Sequence, residues 1–268
     1  MSLASLPMYS LSEVRPAAEA WWRGLAKACR AEGLGAVPES LNWPEDPKTD
    51  WRSGDLFLSQ TCGYPLMTEL QDSVRVIATP CYTAEGCAGP FYSSVLLVRA
   101  DQAAETLSDL RGCRAAYNSQ DSQSGYNVLR SLVAPLAGGR AFFAAVLETG
   151  SHAGSIAAVA EGRADLAAVD CVTFALHRKH RPQAVANLRV LFYGPATPGL
   201  PYITAGGRGE DDLLRLREAL YEALADPRLA EAREALLLSG AAVLPGDAYR
   251  VLLDMRRDAA AQGYETLR

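Results

Sequence analysis

The sequence predicts an α/β fold in two lobes, and three observations predict it. Short β-type runs alternate with helix-patterned stretches, the arrangement that builds sheets flanked by helices. Polar residues gather where those runs end, which in open α/β sheets is the edge where ligands bind. A second β-α series begins after a long strand-like run at 92–98, and the chain beyond 204 reads as helical. With 268 residues, 49% of them hydrophobic and 21% charged, the chain can bury one large core or two modest ones.

Taken in order, 3–8 reads as a first strand. Ser12 and Pro16 then open an amphipathic helix that turns Trp21, Trp22, Leu25 and Ala28 toward a core and stops at Gly33. A strand at 55–59 ends in the polar turn Gln60, Thr61, Cys62, Gly63 and Tyr64. Another at 74–78 ends in Thr79, Pro80, Cys81 and Tyr82. After the strand at 92–98 come β-type runs at 113–117, 143–148 and 164–169, with helices opening from Ser124, Ser151 and Cys171. A strand near 199–204 precedes helices at 210–225, 227–238 and 247–261, and no further sheet is expected. The economical arrangement returns the chain to where it began. Lobe one is then 1–97 plus 202–268 and lobe two is 98–201, each a mostly parallel sheet flanked by helices, with the strands around Leu96 and Ile203 as two hinge crossings.

Composition excludes several partners. The net charge of −5, with Lys and Arg scattered, provides no basic face for nucleic acid. No apolar run approaches the roughly 18 residues of a membrane span, so no membrane insertion is expected. The first nine residues lack a basic n-region and a long apolar h-region. The expectation is therefore a cytoplasmic chain as it stands, and a periplasmic one if a leader preceded it. Six cysteines leave two options open: free buried thiols, or a bridge from Cys87 to Cys81 or Cys62. No metal site and no cofactor are expected, because no CxxC spacing occurs and the basic string at 177–181 reads as a solvated helix end.

The chemistry concentrates in the turn 118–125. Ser119, Ser122, Gln123 and Ser124 supply hydroxyls and an amide, and Gly125 lets backbone approach a bound group. A helix start adds free N–H groups and the positive end of its dipole, which suits a small anion; equally, one of these serines could simply cap the helix. Ser151 and His152 follow another strand and open another helix, and an imidazole there can donate a hydrogen bond or a charge. Asp170 closes the 164–169 strand, either as a ligand contact or as a cap for the next helix. In lobe one the strand-end candidates are Tyr9, Thr61, Tyr64 and Tyr82.

Taken together, Asn118 and Ser119 through Tyr126, then 149–152, then 164–170, resemble the phosphate/phosphonate substrate-binding family of ABC importers. The resemblance implies a type II periplasmic-binding-protein fold whose two lobes enclose a small anionic solute, an ABC permease as partner, and a monomer. By that likeness Ser122, Ser124 and Gly125 hold the phosphonate oxygens with His152 beside them. Asp170 falls near the far end of an aminophosphonate, and Tyr64 and Tyr82 match lobe-one tyrosines. The chain departs from the pattern in carrying Gln123 within the turn and Cys62 and Cys81 at strand ends. The competing expectation is a cytoplasmic enzyme or sensor on the same fold. It would use Ser151, His152 and Asp170, or Cys62 with His152, as nucleophile, base and orienter.

Overall fold

Pro16 carries the φ that a helix start requires and lacks the N–H that a helix start cannot satisfy. Helix Arg15–Ala31 begins there and buries Trp21, Trp22, Leu25, Ala26 and Cys29 on one face. The chain then turns at Gly33, whose φ of 78° suits a residue without Cβ. The computed structural model describes residues 2–268 and divides the chain into two units. One is Met1–Thr83, Ala88–Pro90 and Pro198–Gly246; the other is Ala84–Cys87, Phe91–Thr197 and Asp247–Arg268.

The first unit holds a five-stranded sheet in the order Leu3–Ala4, Leu56–Gln60, Tyr202–Ala205, Val74–Tyr82, Leu238–Ala242. Helix Arg15–Ala31 and helix Glu210–Ala225 pack together on it, enclosing Trp21, Trp22, Phe57, Ile77, Leu216 and Leu220. Each such large apolar side chain contributes about 1.5–3 kcal/mol by leaving water. Four details differ from the sequence reading. The first strand is only two residues long. The third runs on through Thr79, Pro80 and Cys81 to Tyr82, so these are sheet residues and not a turn. The segment 227–238 is helical only to Ala235, and Leu238–Ala242 then pairs with Val74–Tyr82. Finally, only Leu3–Ala4 with Leu56–Gln60 is parallel; every other pairing in this sheet is antiparallel.

The second unit has its own sheet, ordered Leu188–Tyr193, Ser94–Arg99, Leu166–Asp170, Arg114–Tyr117, Ala145–Glu148. The last three of these are parallel, as β-α-β crossovers make them: Arg114–Tyr117 pairs parallel with both Ala145–Glu148 and Leu166–Asp170. The strands Ser94–Arg99 and Leu188–Tyr193 are antiparallel additions. Two of its four pairings are parallel and two antiparallel, so this sheet is mixed where a mostly parallel one was expected. Leu188–Tyr193 is an addition to the elements expected from the sequence, although Leu188, Val190 and Phe192 alternate as a strand requires.

The C-terminal segment belongs with the second unit. Helix Arg250–Ala261 packs on helix Val128–Ala137, and Tyr264, fully buried, joins the core of Leu129, Val133 and Phe142. Arg268 closes the arrangement, its carbonyl accepting from Phe142 N at 2.8 Å and Phe143 N at 3.1 Å. The sequence reading places 247–268 in lobe one because an amphipathic pattern reveals a buried face but not what buries it. Among the described residues no helix is long and apolar enough to cross a membrane.

Candidate functional site

The three parallel strands of the second unit end on one edge, and two backbone staples fix the segments that leave it. Thr149 donates from both N and Oγ1 to the Tyr117 carbonyl, at 2.9 and 3.0 Å, and Gly150 N donates to the Asn118 carbonyl at 2.9 Å. Gly150 adopts a φ of 79°, the left-handed region that L side chains resist. These staples lay Ser151 and His152 beside the turn 118–125.

Within that turn Ser122 N donates to the Ser119 carbonyl, and Ser122 Oγ accepts from Gly125 N at 3.0 Å as the N-cap. Asn127 N reaches back five residues to the Ser122 carbonyl, so the helix opens with a π turn over Gln123–Asn127 and continues as Val128–Ala137. Single π turns of this kind recur at functional sites. A polar brace holds it from beneath. Gln123, fully buried, accepts at Oε1 from Asn127 Nδ2 at 2.7 Å and donates from Nε2 to the Met255 sulfur at 3.4 Å. Asn127 Nδ2 also donates to the Leu252 carbonyl at 2.9 Å, while its Oδ1 accepts from Arg130. The side chain of Gln123, expected from the sequence as a ligand contact, is thus directed at Asn127 and Met255.

Ser124 Oγ lies 2.9 Å from His152 Nε2, joining the two helix starts. Gly125 leaves room at the junction for the Asn118 side chain: a Cβ there would come within 1.9 Å of Asn118 Oδ1 and 3.2 Å of His152 Cε1. Burial, with the charge of His177 as the second cause, lowers the His152 pKa to about 4, so the ring is neutral at pH 7. If Nε2 carries the ring hydrogen it donates to Ser124 Oγ, and the serine hydroxyl is then free to donate onward. Asn118 Oδ1 and His152 Nδ1 are buried without a hydrogen-bond partner. With Nδ1 unpaired, no carboxylate orients this imidazole, and the pair lacks the third member of a nucleophile, base and orienter set.

The remaining predicted residues separate into those brought to this junction and those that are not. Ser151 stands next to it, capping helix His152–Ala160 by accepting from Gly154 N at 3.0 Å. Ser119 contributes the carbonyl that closes the turn. Asp170 takes the capping role: its Oδ1 accepts from Val172 N at 2.8 Å and Thr173 N at 3.0 Å at the start of helix Cys171–His180. In the first unit Tyr9 and Tyr82 meet edge to face with centroids 5.1 Å apart, and Gln60 donates to Tyr82 Oη and to the Leu200 carbonyl, both at 3.0 Å. They border a small cavity with Leu6, Ala18 and Tyr202. Thr61 and Tyr64 are outside that cluster. Thr61 is buried and donates from N to the Pro201 carbonyl, and Tyr64 is buried in the short helix Gly63–Thr68.

Two residues that the sequence reading names only as members of turns and not as ligand contacts, Asn118 and Gln60, sit at the centre of these clusters. Each directly follows or ends a strand, which is the positional signal that could have found it. All six cysteines are thiols outside any disulfide, and Cys87 faces Cys171, with sulfurs 3.5 Å apart, in place of either bridge considered from the sequence. Among the described residues no group of three or more His, Cys, Asp or Glu could hold a metal ion.

Residues 52–248 match the sequence model of a family described as the periplasmic substrate-binding protein of the phosphonate ABC transporter. No curated protein sequence matches the chain. Solved structures share its fold. A binding protein component of an ABC phosphonate transporter from Pseudomonas aeruginosa aligns with a TM-score of 0.75 at 16% identity, over 98% of this chain and 88% of its own. A Prochlorococcus marinus protein in complex with methylphosphonate aligns at 0.72 and 16% identity, over 97% and 98%. A Xanthomonas citri protein bound to ATP aligns at 0.71 and 19% identity, over 97% and 98%.

Proposed function

The chain belongs to the family of periplasmic substrate-binding proteins of phosphonate ABC transporters, and from that premise we propose that it captures a small phosphorus oxyanion, of phosphonate or phosphate type, at the junction of 118–125 with 151–152. The observation that carries this reading is the Ser124 to His152 hydrogen bond at 2.9 Å, made where two helix starts are stapled side by side. Helix starts offer N–H groups that have no carbonyl within the helix, and their dipoles favour negative charge. A neutral imidazole behind a serine hydroxyl adds a donor without placing a permanent cation in the site. Binding of this kind requires no covalent step, and the family is one of transport binding proteins.

Ligands of solved proteins with this fold, methylphosphonate and ATP, share a tetrahedral phosphorus with anionic oxygens, which sets the test panel. Thermal shift and calorimetric titration with methylphosphonate, aminoethylphosphonate, phosphite, phosphate and ATP, against sulfate and acetate controls, should find at least one phosphorus oxyanion that stabilises the protein. A ligand at 100 times its Kd adds about 2.7 kcal/mol. Ser124→Ala and His152→Ala should each weaken that ligand about tenfold or more while leaving the unliganded melting temperature within a few degrees, as expected for loss of a charge-assisted hydrogen bond of about 1.5–3 kcal/mol. Stabilisation by none of the phosphorus oxyanions overturns the reading.

A further inference from the structure

Cys87 and Cys171 are far apart in sequence and their sulfurs lie 3.5 Å apart. The approach is built into the backbone. Residues 84–87 form a tight turn closed by Cys87 N donating to the Ala84 carbonyl at 3.0 Å, with Ala84 buried beneath it. Gly86, at the bend, has a φ of 93°, and a Cβ there would meet the Tyr193 ring at 2.9 Å and Cys171 Cβ at 3.1 Å, so glycine is what lets this turn lie against Cys171. Cys171 itself is the first residue of helix Cys171–His180 and is held by the Asp170 cap and by its own N donating to the Ser93 carbonyl at 3.2 Å. Both thiols therefore sit on fixed backbone, and a bond between them needs roughly 1.5 Å of sulfur travel, which side-chain rotation supplies.

We propose that Cys87 and Cys171 form a disulfide when the protein meets a disulfide oxidant, fixing the turn 84–87 to the start of helix Cys171–His180. The family is periplasmic, and that compartment is where such bonds form and persist. The step balances as two exchanges. The half-buried Cys87 loses its proton to solvent and attacks one sulfur of the oxidant's disulfide, expelling one thiolate. Cys171 then loses its proton and attacks the Cys87 sulfur of the mixed disulfide, expelling the second. Two protein thiols are oxidised by two electrons and the oxidant is reduced to two thiols. The order follows from accessibility: Cys171 is buried, and its hydrogen bond to Cys87, its burial and the neighbouring Asp170 carboxylate all push its thiol pKa up.

The test equilibrates the full chain with oxidised glutathione, alkylates what remains free, and maps peptides without reduction. The expected result is a linked peptide containing Cys87 and Cys171, with two of the six thiols lost. The melting temperature should exceed that of the reduced protein by about 5–10 °C, the scale expected for closing so long a loop in a chain of this size. Cys171→Ser removes a buried thiol and could unfold the protein, so Cys87→Ser, at the half-buried partner, is the deciding variant. It should fold, keep Cys171 reduced, and melt at the same temperature with or without the oxidant. Absence of the linked peptide in the wild type, or pairing of either cysteine with a different one, overturns the proposal.

Discussion

His152 is held neutral by its surroundings, and that has a measurable signature. Its pKa in the folded protein, about 4, lies below the ordinary histidine value of 6.5 because burial disfavours the charged ring. The unfolded chain therefore takes up a proton first as pH falls. This contribution to stability is complete above pH 6.5 and is lost as pH drops from there toward 4, amounting to up to roughly 3 kcal/mol. Urea melts across that window should show the wild type losing more stability than His152→Asn; parallel curves would mean that the ring is not desolvated. Gly125 supplies a complementary test. Gly125→Ala sets a methyl 1.9 Å from Asn118 Oδ1, the end of a side chain that can swing away, and the helix gains about 0.5–1 kcal/mol from losing a glycine. Stability should thus be nearly unchanged while oxyanion affinity falls, a separation that a calorimetric titration beside a thermal melt resolves. Of these residues, Ser122, Ser124, Gly125 and His152 are legible in the sequence, because a helix start after a strand advertises itself by hydroxyls and glycine. Asn118 is not, since its importance lies in what its side chain touches. Gln123 and Asp170 are legible as polar residues in the right elements but not as to direction: one turns inward to Asn127, the other caps its own helix.

At the scale of elements, the π turn over Gln123–Asn127 depends on a brace from outside its own helix. Asn127 uses both amide hydrogens and its oxygen, on Gln123, the Leu252 carbonyl and Arg130, so Asn127→Ala leaves several buried polar atoms without partners. A loss of about 2–4 kcal/mol is expected. Leu129→Ala, in the same helix and equally buried, should cost a similar 2–5 kcal/mol through its cavity alone. Oxyanion affinity, measured where both variants remain folded, should fall for Asn127→Ala and stay near wild type for Leu129→Ala. Equal affinities would show that the turn holds its shape without the brace. The elements themselves are written unevenly in the sequence. Helix Arg15–Ala31 and the strands around 56, 96, 116 and 168 carry strong periodicity and punctuation, whereas Leu238–Ala242, with Gly240 and three small residues, carries almost none and exists because Val74–Tyr82 offers it an edge to pair with.

For the molecule as a whole, the sequence shows α/β lobes but does not show where its last helix lands. Residues 247–268 complete the core of the second unit, where Leu252, Ala259, Tyr264 and Leu267 are buried. Removing them should expose Tyr126, Leu129 and Val133 and unfold that unit selectively. In a variant ending at residue 246, hydrogen exchange should be fast in 115–117 and 166–169 yet remain slow in 56–60 and 202–205. Loss of protection in both sets would mean that the two sheets form one cooperative structure.

The two tryptophans that fill the core beside helix Glu210–Ala225 have an optical consequence. All four tryptophans of the chain, at positions 21, 22, 43 and 51, belong to the first unit, while the second unit's large aromatic side chains are tyrosine and phenylalanine. Excitation at the red edge of the absorption band therefore lights one half of the polypeptide only. Phe142→Trp would give the dark half its own emission, and the difference between the melts of that variant and of the wild type would time the loss of the second core separately from the first.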